Sequence, residues 1–280
     1  MTRGVAKRLG VKGRESLLLS PISLLRLMGY PAPKPSFHCV RASVLSVERE
    51  VISTGVSALD SILGGGVETG AVTEFVGPPG CGKTQLCHQL AVMVQLPPSR
   101  GGLGAPALYV DTEGTFRPER LALIADYRGL DPDKALEGVI YARAYSSDHQ
   151  AMIIGKVGGV IEEYGVGLLV VDSLVGHFRS EMYGNWRRAL AKLYRHVSLL
   201  SRLAEDYGLA VVITNQVTEP PGKRKREFGE RLVVATHKIW LEKVGYSRFM
   251  ARVLSSPCLP PREAMFRITE VGVVGLEEPV

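Results

Sequence analysis

The stretch Gly77-Pro78-Pro79-Gly80-Cys81-Gly82-Lys83-Thr84 lies between a short apolar run, Val72 to Val76, and a longer run with helical character, Thr84 to Val94. Its spacing is G-x(4)-G-K-[ST], the pattern of a loop whose backbone N–H groups wrap a phosphate between a strand and a helix. Glycines are needed because a β-carbon would obstruct the backbone conformations such a loop adopts. The helix contributes the partial positive charge of its N-terminus. Lys83 is expected to reach the β- and γ-phosphates of a nucleotide, and the Thr84 hydroxyl to ligate magnesium. The reading is ATP with Mg2+, held by Gly77, Pro78, Pro79, Gly80, Cys81, Gly82, Lys83, Thr84 and Gln85.

Outward from this loop, β-rich apolar runs alternate with longer helical patterns, as βαβ units around a parallel sheet do. The strand candidates are Val72 to Val76, Ala107 to Val110, Val139 to Ala142, Leu168 to Val171 and Leu209 to Thr214. Several are apolar at consecutive positions, as strands covered on both faces must be. The helices between them are Thr84 to Val94, Pro118 to Tyr127, Gln150 to Tyr164 and Trp186 to Tyr207. From Lys238 onward the pattern becomes strands and turns, Lys238 to Glu242, Arg248 to Leu254 and Phe266 to Ile268, read as antiparallel additions at one sheet edge. The expected fold class is α/β, a mostly parallel central sheet with helices on both faces.

Three strand ends carry polar groups where such sheets meet their ligands. Leu168-Leu169-Val170-Val171-Asp172 supplies Asp172 as a second magnesium-holding residue. Tyr109-Val110-Asp111-Thr112-Glu113 supplies Glu113, the candidate to orient the water that attacks the γ-phosphate in line. Thr214-Asn215-Gln216 supplies Gln216, placed to sense that phosphate and pass its presence to the loop that follows.

Bulk properties fit an ordinary globular chain: of 280 residues, 45% are hydrophobic and 22% charged, which excludes a disordered or fibrous protein. The net charge of +6 resides in residues 1–50, where nine Lys/Arg face three Asp/Glu. That basic arm suits nucleic acid, an acidic partner or simply a solvated tail, and charge alone names none of them. Pro31-Ala32-Pro33-Lys34-Pro35 reads as a linker. The four cysteines, Cys39, Cys81, Cys87 and Cys258, have no C-x-x-C spacing, and Cys81 lies in the phosphate loop, so reduced thiols and a cytoplasmic location are expected. No apolar run approaches the roughly 20 residues a membrane span needs.

A longer pattern resembles the RecA/RadA recombinase superfamily, in particular archaeal RadA, its paralogues and the eukaryotic RecA-like recombinase paralogues, over about residues 53–275. It includes Ser53-Thr54-Gly55 with Leu59-Asp60, Gly64-Gly65-Gly66, Gly80 through Cys87, and Tyr109 through Arg120. It continues with Tyr141-Ala142-Arg143-Ala144, Asp148-His149-Gln150, Val212 through Val217, and Ser256-Pro257-Cys258-Leu259-Pro260 with Glu263-Ala264. The resemblance implies a RecA-type core over residues 51–280. It also implies that Glu113 activates water, that Arg120 stacks on adenine, and that Pro260 belongs to a segment capping ATP on a neighbouring subunit of a filament or ring. Two loops are implied to bind DNA, with single-stranded DNA the expected partner and double-stranded DNA the alternative. The first is about Phe178 to Arg188, with Arg179, Arg187 and Arg188 for phosphates and Trp186 for base stacking. The second is about Thr218 to Leu232, with Lys223, Arg224, Lys225 and Arg226.

The chain also departs from that pattern. Gly184-Asn185-Trp186 replaces a Gly-Arg-Gly element, Val233 stands where histidine is common, and Ser255 where the cap has an acid. Residues 1–50 leave no room for the family's N-terminal helical DNA-binding domain, and Phe37-His38-Cys39-Val40, with Val in place of Ala, reads either as plain linker or as an F-x-x-A-like polymerisation segment. The expected function is a DNA-stimulated ATPase of homologous recombination and repair. The alternative is a mediator that binds ATP with little turnover and regulates a main recombinase. A RecA-fold helicase or signalling ATPase is the remoter class.

Overall fold

The computed structural model describes residues 49–217 and 235–278. In chain order the elements are β1 (Val51–Ile52), α1 (Ser57–Ile62), β2 (Val67–Glu68), β3 (Val72–Gly77), α2 (Lys83–Met93), β4 (Ala107–Asp111), α3 (Pro118–Tyr127), α4 (Pro132–Glu137) and β5 (Val139–Arg143). There follow α5 (Ser147–Tyr164), β6 (Leu168–Asp172), α6 (Gly176–Tyr207), β7 (Ala210–Gln216), β8 (His237–Lys243), β9 (Arg248–Ser255), β10 (Glu263–Thr269) and β11 (Gly272–Val274).

Among the described residues nine strands form one sheet in the order β11-β10-β9-β8-β3-β7-β6-β4-β5, while β1 and β2 pair separately. From β5 through β3 the strands are parallel. Strand β8 also runs parallel to β3, so the antiparallel additions begin at β9 rather than at Lys238 as the sequence pattern suggested. The long connection between Gln216 and His237 accounts for this, because a parallel neighbour requires a crossover and cannot be reached by a tight turn.

Local chemistry explains the helix starts. Pro118 occupies the first turn of α3, where its missing N–H costs nothing. The Ser146 side chain accepts from His149 N at 3.1 Å and so starts α5 three residues before the expected Gln150. Helix α4, not expected from sequence, is capped by Asp131 accepting from Lys134 N at 3.0 Å.

The larger difference is α6. Residues 178–188, expected as a loop, belong to a helical segment spanning Gly176–Tyr207, interrupted at Asn185 with φ −141° and ψ 87°. The Asn185 side chain accepts from Arg188 N at 3.2 Å, capping the second half, whose start at Trp186 was legible.

Apolar residues fill both faces of the sheet. Along β4, β6 and β7, Ala107, Tyr109, Leu168, Val170, Ala210 and Val212 join one core. The alternating Leu108, Val110, Leu169, Val171, Val211 and Ile213 join the other, beneath α5 and α6. That is the period-2 alternation of a strand, hidden in sequence because both faces are buried. Trp240 on β8 is fully buried beside Val76 and Val217, its indole donating to Glu242 Oε2 at 3.0 Å. Gln89 of α2 fastens the far strands: Nε2 donates to Thr54 O at 2.6 Å and Val273 O at 2.8 Å, and Oε1 accepts from Val273 N at 2.7 Å.

Candidate nucleotide site

Continuing the strand alternation by one step puts Asp111, Asp172 and Thr214 on the α2 face, with Tyr109 below them. All meet the phosphate loop at the carboxyl end of the parallel strands. Gly77 leaves no room for a side chain, since a β-carbon there would lie 2.1 Å from Leu241 O. Gly80 and Gly82 have φ of 72° and 95°, in the left-handed region open to glycine, and Gly82 caps α2. Lys83 is buried and donates to Gly77 O at 2.9 Å, Pro78 O at 2.8 Å and Cys81 Sγ at 3.4 Å.

Asp172 is buried and ringed by donors. Tyr109 Oη donates to Oδ2 at 2.8 Å, and the hydroxyls of Thr214 and Thr84 also hydrogen-bond the carboxylate. Burial pushes its carboxyl above the ordinary range, outweighing those hydroxyls, and the nearby Glu113 charge pushes the same way. Thr84 and Asp172 therefore form an all-oxygen donor pair beside a lysine, a set suited to a hard divalent cation that keeps several waters.

Glu113 stands just outside the strand end, where its Oε1 accepts from Ser173 Oγ at 2.6 Å. Its loop is tied down by Asp111, a residue the sequence reading passed over. Asp111 Oδ1 accepts backbone N–H groups of Glu113 at 2.9 Å and Gly114 at 2.7 Å and pairs with Arg143 at 2.9 Å; Oδ2 accepts from Phe116 N at 3.2 Å and Tyr141 Oη at 3.1 Å. Burial alone would raise its pKa, but the four backbone N–H groups of residues 113–116 hold it below the ordinary value. The only sequence signal was an acid ending a buried strand two residues before Glu113. Ser173, the other group missed, gave no signal beyond its place after Asp172.

A cleft of about 520 Å³ brings together Lys83, Thr84, Glu113, Arg120, Asp172 and Gln216. Pro79, Gly80, Gly82 and Gln85 also line it. Arg120 Nε donates to Gln85 Oε1 at 2.7 Å, and its terminal nitrogens donate to the carbonyls of Thr269 and Glu270. Pro260 is not among the lining residues and lies in the turn between β9 and β10.

The expected DNA residues fall into two groups. Arg179 is half-buried on the first half of α6, within 3.4 Å of Asn215 Oδ1, while Trp186, Arg187 and Arg188 are exposed at the start of the second half. They occupy a kinked helix, not a loop. Lys223, Arg224, Lys225 and Arg226 lie outside the described residues, as do the basic arm and Phe37 to Val40.

A mostly parallel sheet, both faces covered, with a glycine-rich loop opening α2 at its carboxyl edge, defines the RecA-type α/β class. Within that class the sequence model described as Rad51 matches residues 47–276, and the chain belongs to the Rad51 family. It is also similar to a protein of Cenarchaeum symbiosum (strain A) named "DNA repair and recombination protein RadA", with 45% identity over 236 residues covering 81% of this chain and 59% of that protein. The chain thus spans less than two thirds of that relative's length.

Proposed function

We propose that this protein is a magnesium-dependent, DNA-stimulated ATPase of homologous recombination and DNA repair, acting on single-stranded DNA in the cytoplasm. The observation that carries the reading is the convergence of Lys83, Thr84, Glu113, Asp172 and Gln216 on one cleft. Membership of the Rad51 family supplies the biological setting.

In this reading residues 51–280 are the ATPase domain. The N–H groups of the glycine loop and of the α2 N-terminus cradle the phosphates, and Lys83 supplies a positive charge to the β- and γ-oxygens. Thr84 and Asp172 hold Mg2+, which when bound offsets charge on the phosphate oxygens. Glu113, oriented by Ser173 Oγ and anchored through Asp111, takes the proton of the attacking water. Gln216 contacts the γ-phosphate and relays its presence into the segment containing Lys223 to Arg226. Arg120 packs against the base, and Pro260 contributes to a neighbouring subunit's site on self-association in a filament or ring, or on docking with a main recombinase. Trp186 stacks on DNA bases while Arg179, Arg187 and Arg188 contact phosphates.

The test is ATP turnover by the purified protein with and without single-stranded DNA. DNA is expected to stimulate hydrolysis, and Glu113→Gln to lower kcat by about 10²–10⁴-fold, the range of a lost general base. Lys83→Ala is expected to abolish turnover. Saturable ATP binding with turnover that is negligible and indifferent to DNA would overturn the enzyme reading. It would favour the mediator role, to which Ser255 and the altered Gly184-Asn185-Trp186 segment already lean.

A further inference from the structure

Away from the cleft, the turn after β9 folds back over the start of β8 and the end of β2. There Glu68, His237 and Cys258 each present one metal-ligating atom, all within 4.8 Å of one another. His237 is buried and Cys258 exposed. Glu68 Oε2 lies 2.6 Å from His237 Nε2, and Ser256 Oγ lies 2.9 Å from Nδ1. The other carboxylate oxygen of Glu68 pairs with Arg49 Nη1 at 2.6 Å.

We propose that Glu68, His237 and Cys258 form a binding site for one zinc-class divalent cation that ties the 256–262 turn to β2 and β8. Imidazole, thiolate and carboxylate form a borderline-soft donor set, one that favours zinc over the hard, oxygen-seeking magnesium of the nucleotide site. Ligands about 2.0–2.3 Å from a tetrahedral ion lie roughly 3.3–3.8 Å apart, so a small rotation of the exposed Cys258 and a slight opening of the His237–Glu68 contact complete the geometry. With the ion between Nε2 and Oε2, the imidazole proton resides on Nδ1 and donates to Ser256 Oγ, while Arg49 still holds the far oxygen of Glu68. Both ligands thereby keep the outer partners that orient them. The thiol proton and the proton that Nε2 shares with Glu68 Oε2 leave as the metal–sulfur and metal–nitrogen bonds form, water fills the fourth position, and no electrons change hands.

The site goes beyond the nucleotide reading, because none of its ligands lines the cleft. It nevertheless fixes the turn that carries Pro260, two residues beyond Cys258. A bound ion would therefore set the position of that turn independently of nucleotide.

The test is titration of the metal-stripped full chain with Co2+ in the presence of Mg2+ and ATP, which occupy the nucleotide site. One equivalent of Co2+ should produce a sulfur-to-cobalt charge-transfer band. Cys258→Ser and His237→Gln should each remove it or weaken binding at least tenfold. Zn2+ should raise the thermal midpoint of the wild type but not of Cys258→Ser, an exposed near-isosteric change that leaves the fold intact. A wild type without the band, or a band that survives in Cys258→Ser, would overturn the proposal. The cluster would then be a His–Glu hydrogen bond with a bystander thiol.

Discussion

Asp172 shows what the site costs at the level of one residue. Its carboxylate is buried, and burial favours the protonated form despite three hydroxyl donors. A carboxyl raised above its ordinary range in the folded state disfavours folding wherever the unfolded chain would be ionised, so the penalty is complete above the folded pKa and fades as pH falls to the ordinary Asp range. Asp172→Asn is therefore expected to be at least as stable as the wild type at neutral pH, with no such advantage at acid pH, while losing Mg2+-dependent turnover. Urea unfolding at both pH values, alongside turnover, checks this. A variant that is less stable at neutral pH would show that the hydrogen bonds of Asp172, and not its desolvated charge, dominate. Glu113 presents the opposite arrangement: it stands outside the strand, and its position depends on Asp111 gathering four consecutive N–H groups. That Lys83, Thr84, Asp172, Glu113 and Gln216 would meet in one cleft was legible, because each completes a spaced motif or ends an apolar run. Asp111 and Ser173 were not, since backbone curling around a carboxylate leaves no pattern in residue types.

At the scale of elements, the phosphate loop is shaped by contacts with strands distant in sequence. A β-carbon on Gly77 would meet the Leu241 carbonyl of β8 at 2.1 Å, a backbone atom that cannot swing aside. Gly77→Ala is accordingly expected to destabilise the fold by about 1–3 kcal/mol, the usual cost of forcing extra volume into a packed site, and to weaken ATP binding. Denaturant midpoints and nucleotide titration measure the two effects, and an unchanged midpoint would contradict the close approach. The requirement for glycine was readable from the motif; the identity of the obstructing strand was not, because it depends on β8 crossing to pair with β3. The helices were readable in proportion to their local signals. Pro118 marks the first residue of α3, whereas the first half of α6 carries no such mark, and Asn185, a capping residue inside a helical span, fits a loop as well as a break between two helices.

For the whole molecule, two imidazoles packed on opposite faces of the sheet are expected to make stability fall in mild acid. His88 stacks on Tyr109 at 5.5 Å between ring centroids, and burial, with the Arg120 charge, pushes its pKa from 6.5 down to about 4. His196, on the α6 side, is likewise pushed to about 4 by burial and the Lys192 charge. Each has a folded pKa below its unfolded one, so its contribution is intact above about pH 6.5 and is lost as pH falls toward 4. The loss is up to roughly 3 kcal/mol per histidine. Unfolding free energy is expected to decline steeply across that window, with His88→Gln and His196→Gln each flattening the slope. Identical slopes in wild type and variants would assign the acid sensitivity elsewhere.

The chain has two tryptophans, and the fold gives them separate environments. Trp240 is sealed between β3 and the start of the β7 exit, while Trp186 stands at the surface where α6 bends. Excited in the ultraviolet, the molecule thus carries two lamps: an interior one emitting toward the blue and dark to iodide, and an outer one emitting further red and open to quenchers. Trp186→Phe would leave a pure reporter of unfolding and Trp240→Phe a pure reporter of what touches the bend in α6, so that docking and denaturation can be followed by light alone, each in its own colour.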